Sequence, residues 1–322
     1  MKTQLTRNLT LLFIACVVGT TGCRKGLCYD HPHDGSIIIN VDWRNLPTGV
    51  KKPAGVKVLF VRSSDNNVQS VNFPERGGSR DLTQGDYSIM AMNNDPDLVL
   101  YRGLNKWETA EAFTPAKRHP AYASAPSNMQ GAITPEPRYG ISPPDLLMSS
   151  NEGRVFVGEI TTEKQTITVV PQCLVKPITV RISVIGMKNV AEARGYLKGV
   201  SASVFLATNT VSQEEGMLLF EYGSAQGGAE LMSKFMVFGF VDKPQSAFTL
   251  GLELLLIDQK TVLYYEFPVN DQITPALRAQ GGTIQILEQL NIPDVEPPSS
   301  GGGFNPGIGG WEDEAIELPP MG

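Results

Sequence analysis

Between residues 36 and 43 the chain alternates: Ile37, Ile39, Val41 and Trp43 fall on one side, Asn40 and Asp42 on the other. A period of two sets the first group against a core and the second toward water, the mark of a half-buried strand. Val56, Val58 and Phe60 repeat the pattern over residues 56–62, and further strands are predicted at 87–93 and 97–102. Gly, Asn, Asp and Pro stand between these segments, as tight turns require. The strongest alternation covers 177–185, where Ile178, Val180, Ile182 and Val184 interleave with Thr179, Arg181 and Ser183. Strands are also predicted at 154–160, 165–170, 200–207, 217–222, 234–241, 247–257, 261–269 and 283–290, with one short helix at 189–197. Many short strands with frequent turns and almost no amphipathic helix predict an all-β protein built as β-sandwiches. A boundary near residue 161 divides them into two groups, 36–160 and 161–292, each large enough for its own sandwich.

Two stretches break the strand texture. Residues 104–144 hold seven prolines and little apolar periodicity. They predict a long loop wrapped over one sheet, with a helical turn near 107–112. Residues 293–303 are rich in Pro, Ser and Gly, a linker by composition. After it, Trp311, Ile316 and Leu318 stand among acids, predicting a short terminal strand with a weak apolar face. Such a segment folds back on its own sheet or adds to the edge of another molecule's sheet.

The first residues follow a different logic. Lys2 and Arg7 precede an apolar run over 9–18, then small residues lead to Cys23. The run is too short for a bilayer, which needs about 20 apolar residues, so it reads as a cleaved export signal over 1–22. The small-small-Cys ending resembles the lipobox of bacterial lipoproteins, although Thr20 stands where leucine is usual. It implies a lipid on Cys23, a tether over 23–35 and an outer-membrane lipoprotein; the competing reading is an ordinary cleavage with Cys23 a plain thiol. Acyl chains on one cysteine would hold the protein firmly, at about 0.8 kcal/mol per buried CH₂.

Composition then narrows the chemistry. The formal charge is −6, and losing Lys2 and Arg7 with the signal makes the remainder two charges more negative. That balance disfavours nucleic acid. Setting aside Cys16 and Cys23, Cys28 and Cys173 could form one disulfide in an oxidising compartment, or stay as thiols. His31 and His33 lie in a ligand-rich run with Cys28, Asp30 and Asp34, but without the spacing of a zinc motif. No metal site, cofactor or catalytic group is expected, for no phosphate-binding, nucleophile-elbow or metalloprotease motif occurs and Glu214 and Glu215 read as a solvated turn.

An N-terminal lipobox, two sandwich-sized halves and a C-terminal strand resemble the fimbrillin-like surface lipoproteins of Bacteroidales. The segment from Cys23 to Asp34 and the Gly-rich tail with Trp311-Glu312-Asp313 carry that resemblance. It implies two transthyretin-like β-sandwiches in tandem with a mobile C-terminal tail. It also implies a fimbrial anchor or minor accessory subunit at the cell surface or in the fimbrium, partnered with other subunits by strand addition. In fimbrillins a protease cuts after an arginine at the end of the first strand; here Arg44 follows that strand, or is an ordinary exposed arginine. Ile37, Ile39, Val41 and Trp43 would leave, and a strand such as that of Trp311, Ile316 and Leu318 would fill the groove. A second function is glycan binding, through Trp107, Tyr122 and Tyr139 on the long loop; those aromatics could equally pin the loop to its sheet.

Overall fold

The computed structural model describes residues 34–94, 96, 98–117, 139–158, 164–224, 229–242 and 247–298. The chain forms two compact units, and it passes between them more than once. One comprises the described residues up to Phe113 together with Leu146–Val175 and Ser203–Val211; the other takes Thr114–Asp145, Lys176–Ala202 and the chain from Ser212 onward.

In the first unit the chain forms β1 (Asp34–Val41), β2 (Gly55–Arg62), β3 (Val68–Pro74), β4 (Gly77–Thr83), β5 (Gly85–Asn93), β6 (Leu100–Arg102) and β7 (Glu111–Phe113). After β8 (Ala116–Lys117) and β9 (Tyr139–Gly140), which belong to the second unit, it returns as β10 (Met148–Val157), β11 (Gln165–Val169) and β12 (Gln172–Cys173). Three strands in the order β11-β1-β4 face five in the order β12-β10-β5-β2-β3. Between them lies a core of Ile37, Ile39 and Trp43 against Val56, Val58, Phe60, Tyr87, Ile89 and Met148. The five-stranded sheet is buried on its other face too, at Leu59, Val61, Met90 and Met92. That explains why β2 and β5 read as nearly unbroken apolar runs.

The second unit holds β13 (Lys176–Ile185), β14 (Val190–Ser201), β16 (Glu215–Glu221), β17 (Gly223–Ser224), β18 (Glu230–Val237), β19 (Thr249–Leu256), β20 (Val262–Pro268) and β21 (Gly282–Asn291), with one helix, α1 (Pro275–Gln280). Its sheets run β17-β18-β13-β21 and β20-β19-β14-β16-β9-β8. The short strand β15 (Ser203–Phe205), which follows β14, pairs instead with β7 in the first unit. The path of the second unit repeats that of the first. β13 lies between its last strand β21, parallel, and β18, antiparallel, as β1 lies between β11 and β4. The facing order β20-β19-β14-β16 matches β10-β5-β2-β3.

The all-β class and the sandwich architecture are as the alternation predicts. Several local expectations are corrected. Residues 189–197 are not a helix: a 3-10 turn at Met187–Asn189 leads directly into β14. Ala191, Glu192, Ala193 and Arg194 favour helix locally, but pairing on both sides with β16 and β19 wins. Gly195 makes that pairing tight, since a Cβ there would lie 2.5 Å from the Gly251 carbonyl oxygen.

The boundary expected near 161 falls too early, because β11 pairs with β1 and the first unit runs on to Val175. The strand expected at 200–207 is split, β14 ending at Ser201 and β15 turning to the other unit. The tight turn from β3 to β4, which carries the chain from one sheet to the facing one, and α1 are not legible in the sequence. In the long loop the helical turn exists as a 3-10 turn at Trp107–Thr109, and the described flanks form β7, β8 and β9. Among the described residues no helix is long and apolar enough to cross a membrane.

Candidate functional site

The alternating segment that opens the sequence becomes β1, the centre of its three-stranded sheet. Its backbone runs parallel to β11, with Ile37 opposite Gln165 and Val41 opposite Val169. On the other side it is antiparallel to β4, with Ile37 opposite Arg80 and Asn40 opposite Gly77. Ile37 and Ile39 are completely buried, while Val41 is half-buried and packs on the same core. β4 comes close because Gly77 has no side chain: at φ 95° a Cβ would sit 1.9 Å from the Ile39 carbonyl oxygen. The Gly77-Gly78 doublet is the signal in the sequence for this wall, one that hydrophobic periodicity does not reveal.

Past the end of β1 the chain is pinned before it turns away. Asp42 N–H donates to the Val169 carbonyl at 2.9 Å, and Trp43 is buried with its indole Nε1–H on the Glu75 carbonyl at 2.7 Å. Leu46 N–H then bonds the Trp43 carbonyl at 3.0 Å, closing a turn that carries Arg44 and Asn45. The Arg44 side chain is 66% exposed and donates through Nε to Asp42 Oδ2 at 2.7 Å. That hydrogen bond holds the Asp42 carboxyl below the usual carboxylate range and raises the Arg44 guanidinium further. A second arginine stands at the same end: Arg76, in the β3–β4 turn, is 93% exposed and its carbonyl accepts from Val41 N–H.

The geometry therefore unites Ile37, Ile39, Val41, Trp43 and Arg44 in one element. It is the first described strand of its unit, flanked on both edges, buried on one face and closed by an exposed arginine in a turn. Cutting the chain between Arg44 and Asn45 would leave β1 held by noncovalent contacts alone. Loss of Ile37, Ile39 and Trp43 would expose core worth about 1.5–3 kcal/mol per side chain, beside two newly open strand edges.

Other expected residues fall elsewhere. Cys23, Cys28, His31, His33, Tyr122, Trp311, Ile316 and Leu318 lie outside the described residues. Cys173 is half-buried on β12, with Sγ 3.4 Å from the Val175 carbonyl oxygen. Trp107 sits in the first unit and Tyr139 in the second. Among the described residues no group of His, Cys, Asp and Glu is placed to hold a metal ion.

A repeated sandwich path whose first strand is set between two neighbours defines the chain as a tandem β-sandwich protein. Within it, the sequence model of the family described as "Domain of unknown function (DUF5119)" matches residues 22–221, more than half of the chain, and the chain belongs to that family. A curated relative, described as a candidate fimbrium anchoring subunit, Fim4B, of Bacteroides ovatus, is 30% identical over 111 residues. That match spans 34% of this chain and 32% of the relative. Among solved structures, a candidate adhesin from Bacteroides ovatus superposes with a TM-score of 0.64 at 20% identity, over 86% of this chain and 99% of that one. This is a likeness of fold. The fimbrial anchor protein Mfa2 of Porphyromonas gingivalis aligns at 12% identity over 69% of this chain and 78% of its own, with a TM-score of 0.42, too loose to argue from. The resemblance to fimbrillin-like proteins is met by these comparisons.

Proposed function

We propose that this protein is an anchor or minor accessory subunit of a fimbrium, tethered to the outer membrane through lipid on Cys23 and joined to other subunits by strand addition. The observation that carries the reading is β1 itself, flanked by β11 and β4, buried at Ile37 and Ile39 and ended by the exposed turn at Arg44. β1 shows the geometry that strand addition requires, since backbone hydrogen bonds to both neighbours supply affinity and the alternating pockets of the core select register. In an anchor, whose own β1 fills that slot, the exchanged strand is the one carrying Trp311, Ile316 and Leu318. The relative described as a fimbrium anchoring subunit supports the same assignment over the third of the chain it matches. An anchor, in this reading, keeps β1 and its lipid, whereas a shaft subunit loses both at Arg44.

The test is the intact mass of the protein extracted from native membranes, before and after an arginine-specific protease. The expected product begins at a lipidated Cys23 and survives the protease, and it co-purifies with fimbrial subunits. A polypeptide beginning at Asn45 would instead make this a polymerising shaft subunit. Cleavage after Arg76 would be told apart by mass, and it would leave β1 on the chain. An unlipidated product without fimbrial partners would overturn the proposal.

A further inference from the structure

Among the described residues β21 is the outer strand of its four-stranded sheet, paired to β13 on one side. At ten residues it is long for an edge, and it carries Leu287 at 85% exposure. A strand edge of this kind offers free N–H and C=O groups to any other strand, so folded proteins need a device to protect it.

Two features interrupt this edge. Gln285 turns its backbone away from β13, and one side chain takes both of its polar groups. Its N–H donates to Gln272 Oε1 at 2.8 Å, while Gln272 Nε2 donates to the Gln285 carbonyl at 3.0 Å. A side-chain amide thus stands where the peptide group of an added strand would stand, with the same donor and acceptor. Further along, the register slips: Ile182 pairs with Ile286 but Val184 pairs with Leu290, so the ladder misses residues 287–289. The amide takes the Gln285 position within the regular half of the edge, and the irregularity disrupts the other half.

The position of Gln272 is built in. It closes a 3-10 turn, Asn270–Gln272, between the buried residues Val269 and Ile273, and its N–H bonds the Val269 carbonyl at 3.0 Å. α1 follows, with Leu277 in the core and Arg278 Nη1 on the Val241 carbonyl at 3.1 Å. With the backbone fixed, holding the amide in place costs only its own rotamer freedom.

We propose that Gln272 is an edge guard, closing β21 against pairing with a strand of a second copy of this chain. The inference rests on the fold and not on the fimbrial reading. It is tested by sedimentation velocity of the full chain in detergent, comparing the wild type, Gln272→Ala, and Gln272→Ala combined with Leu287→Lys. Gln272→Ala is expected to raise self-association roughly tenfold, because two hydrogen bonds no longer compete with an incoming strand. Leu287→Lys should return the chain to its wild-type size by placing a charge on the edge. A Gln272→Ala chain with unchanged circular dichroism and melting that sediments like the wild type would overturn the proposal. So would association that Leu287→Lys leaves untouched. Should Gln272→Ala fail to fold, hydrogen exchange of the wild type decides: the Gln285 amide is expected to be protected, and exchange at the rate of an open loop refutes the guard.

Discussion

Trp43 donates its indole N–H to the backbone carbonyl of Glu75, 32 positions along the chain, at 2.7 Å. The bond fastens the end of the first strand to the β3–β4 turn, and the ring closes the core beside Ile39 and Phe73. Trp43→Ala removes both, and a loss of about 3–5 kcal/mol is expected in urea unfolding. Trp43→Phe keeps most of the packing and loses the hydrogen bond, for a cost nearer 1 kcal/mol. A Phe variant as damaging as the Ala variant would mean that the bond to Glu75, rather than burial, holds the end of β1.

The turn after Trp43 carries a pH dependence with a defined sign. The hydrogen bond from Arg44 depresses the Asp42 pKa in the folded chain, so its contribution is present above the unfolded value of about 3.9 and is lost as pH falls through the folded one. Arg44 is exposed and Asp42 half-buried at the surface, so the effect on stability is small and salt-sensitive. An NMR titration of Asp42 should show a midpoint below that of a free aspartate, and Arg44→Gln should bring it back up. The same ion pair occupies the guanidinium that an arginine-specific protease must bind. Asp42→Asn should therefore let the protease cut after Arg44 where the wild type resists it, and continued resistance would show that the turn backbone controls access.

How much of this was legible in the sequence follows from what each element depends on. β1 and β13 announce themselves because one face is buried and the other wet, which writes a period of two into Ile37–Ile39 and Ile178–Val184. β4 does not, since Gly77, Gly78, Ser79, Arg80 and Asp81 form a strand only through their partner β1. β14 misleads because its composition favours helix, and only two flanking strands make it extended. α1 was missed because six residues are too few to show a helical period, although Thr274 accepts from Leu277 N–H at 3.2 Å as a cap and Pro275 follows at the first position. The candidate site was legible on one side only: alternation marks β1 itself, while its place between β4 and β11 emerges only from the pairing.

In the second unit, Arg194 on β14 and Glu253 on β19 stand directly across from one another, Nε to Oε2 at 2.6 Å, with both side chains only 10% exposed. A pair this buried contributes little net stability, yet losing one partner strands the other's charge. Glu253→Gln is expected to cost about 3–5 kcal/mol, while Arg194→Met with Glu253→Met should cost much less than the two single changes together. A double-mutant cycle by thermal unfolding reads this coupling directly. Additive effects would mean that water reaches the pair more freely than its burial implies.

The Tyr222 hydroxyl sets the opposite case. The residue lies in the core cluster of the second unit, edge-on to Phe220 at 5.2 Å, and its Oη has no hydrogen-bond partner among the described residues. Burial pushes the phenol pKa far above its ordinary value. A buried polar atom that makes no bond forfeits its hydration without return, whereas the ring still fills its place in the core. Removing the oxygen alone should therefore be neutral or stabilising by up to about 1 kcal/mol, while removing the ring should cost about 3–5 kcal/mol. Differential scanning calorimetry of Tyr222→Phe and Tyr222→Ala separates the two contributions. A clear fall in Tm for Tyr222→Phe would mean that an ordered water or a shifted side chain satisfies the hydroxyl in solution, and that it belongs to the polar framework of the sandwich.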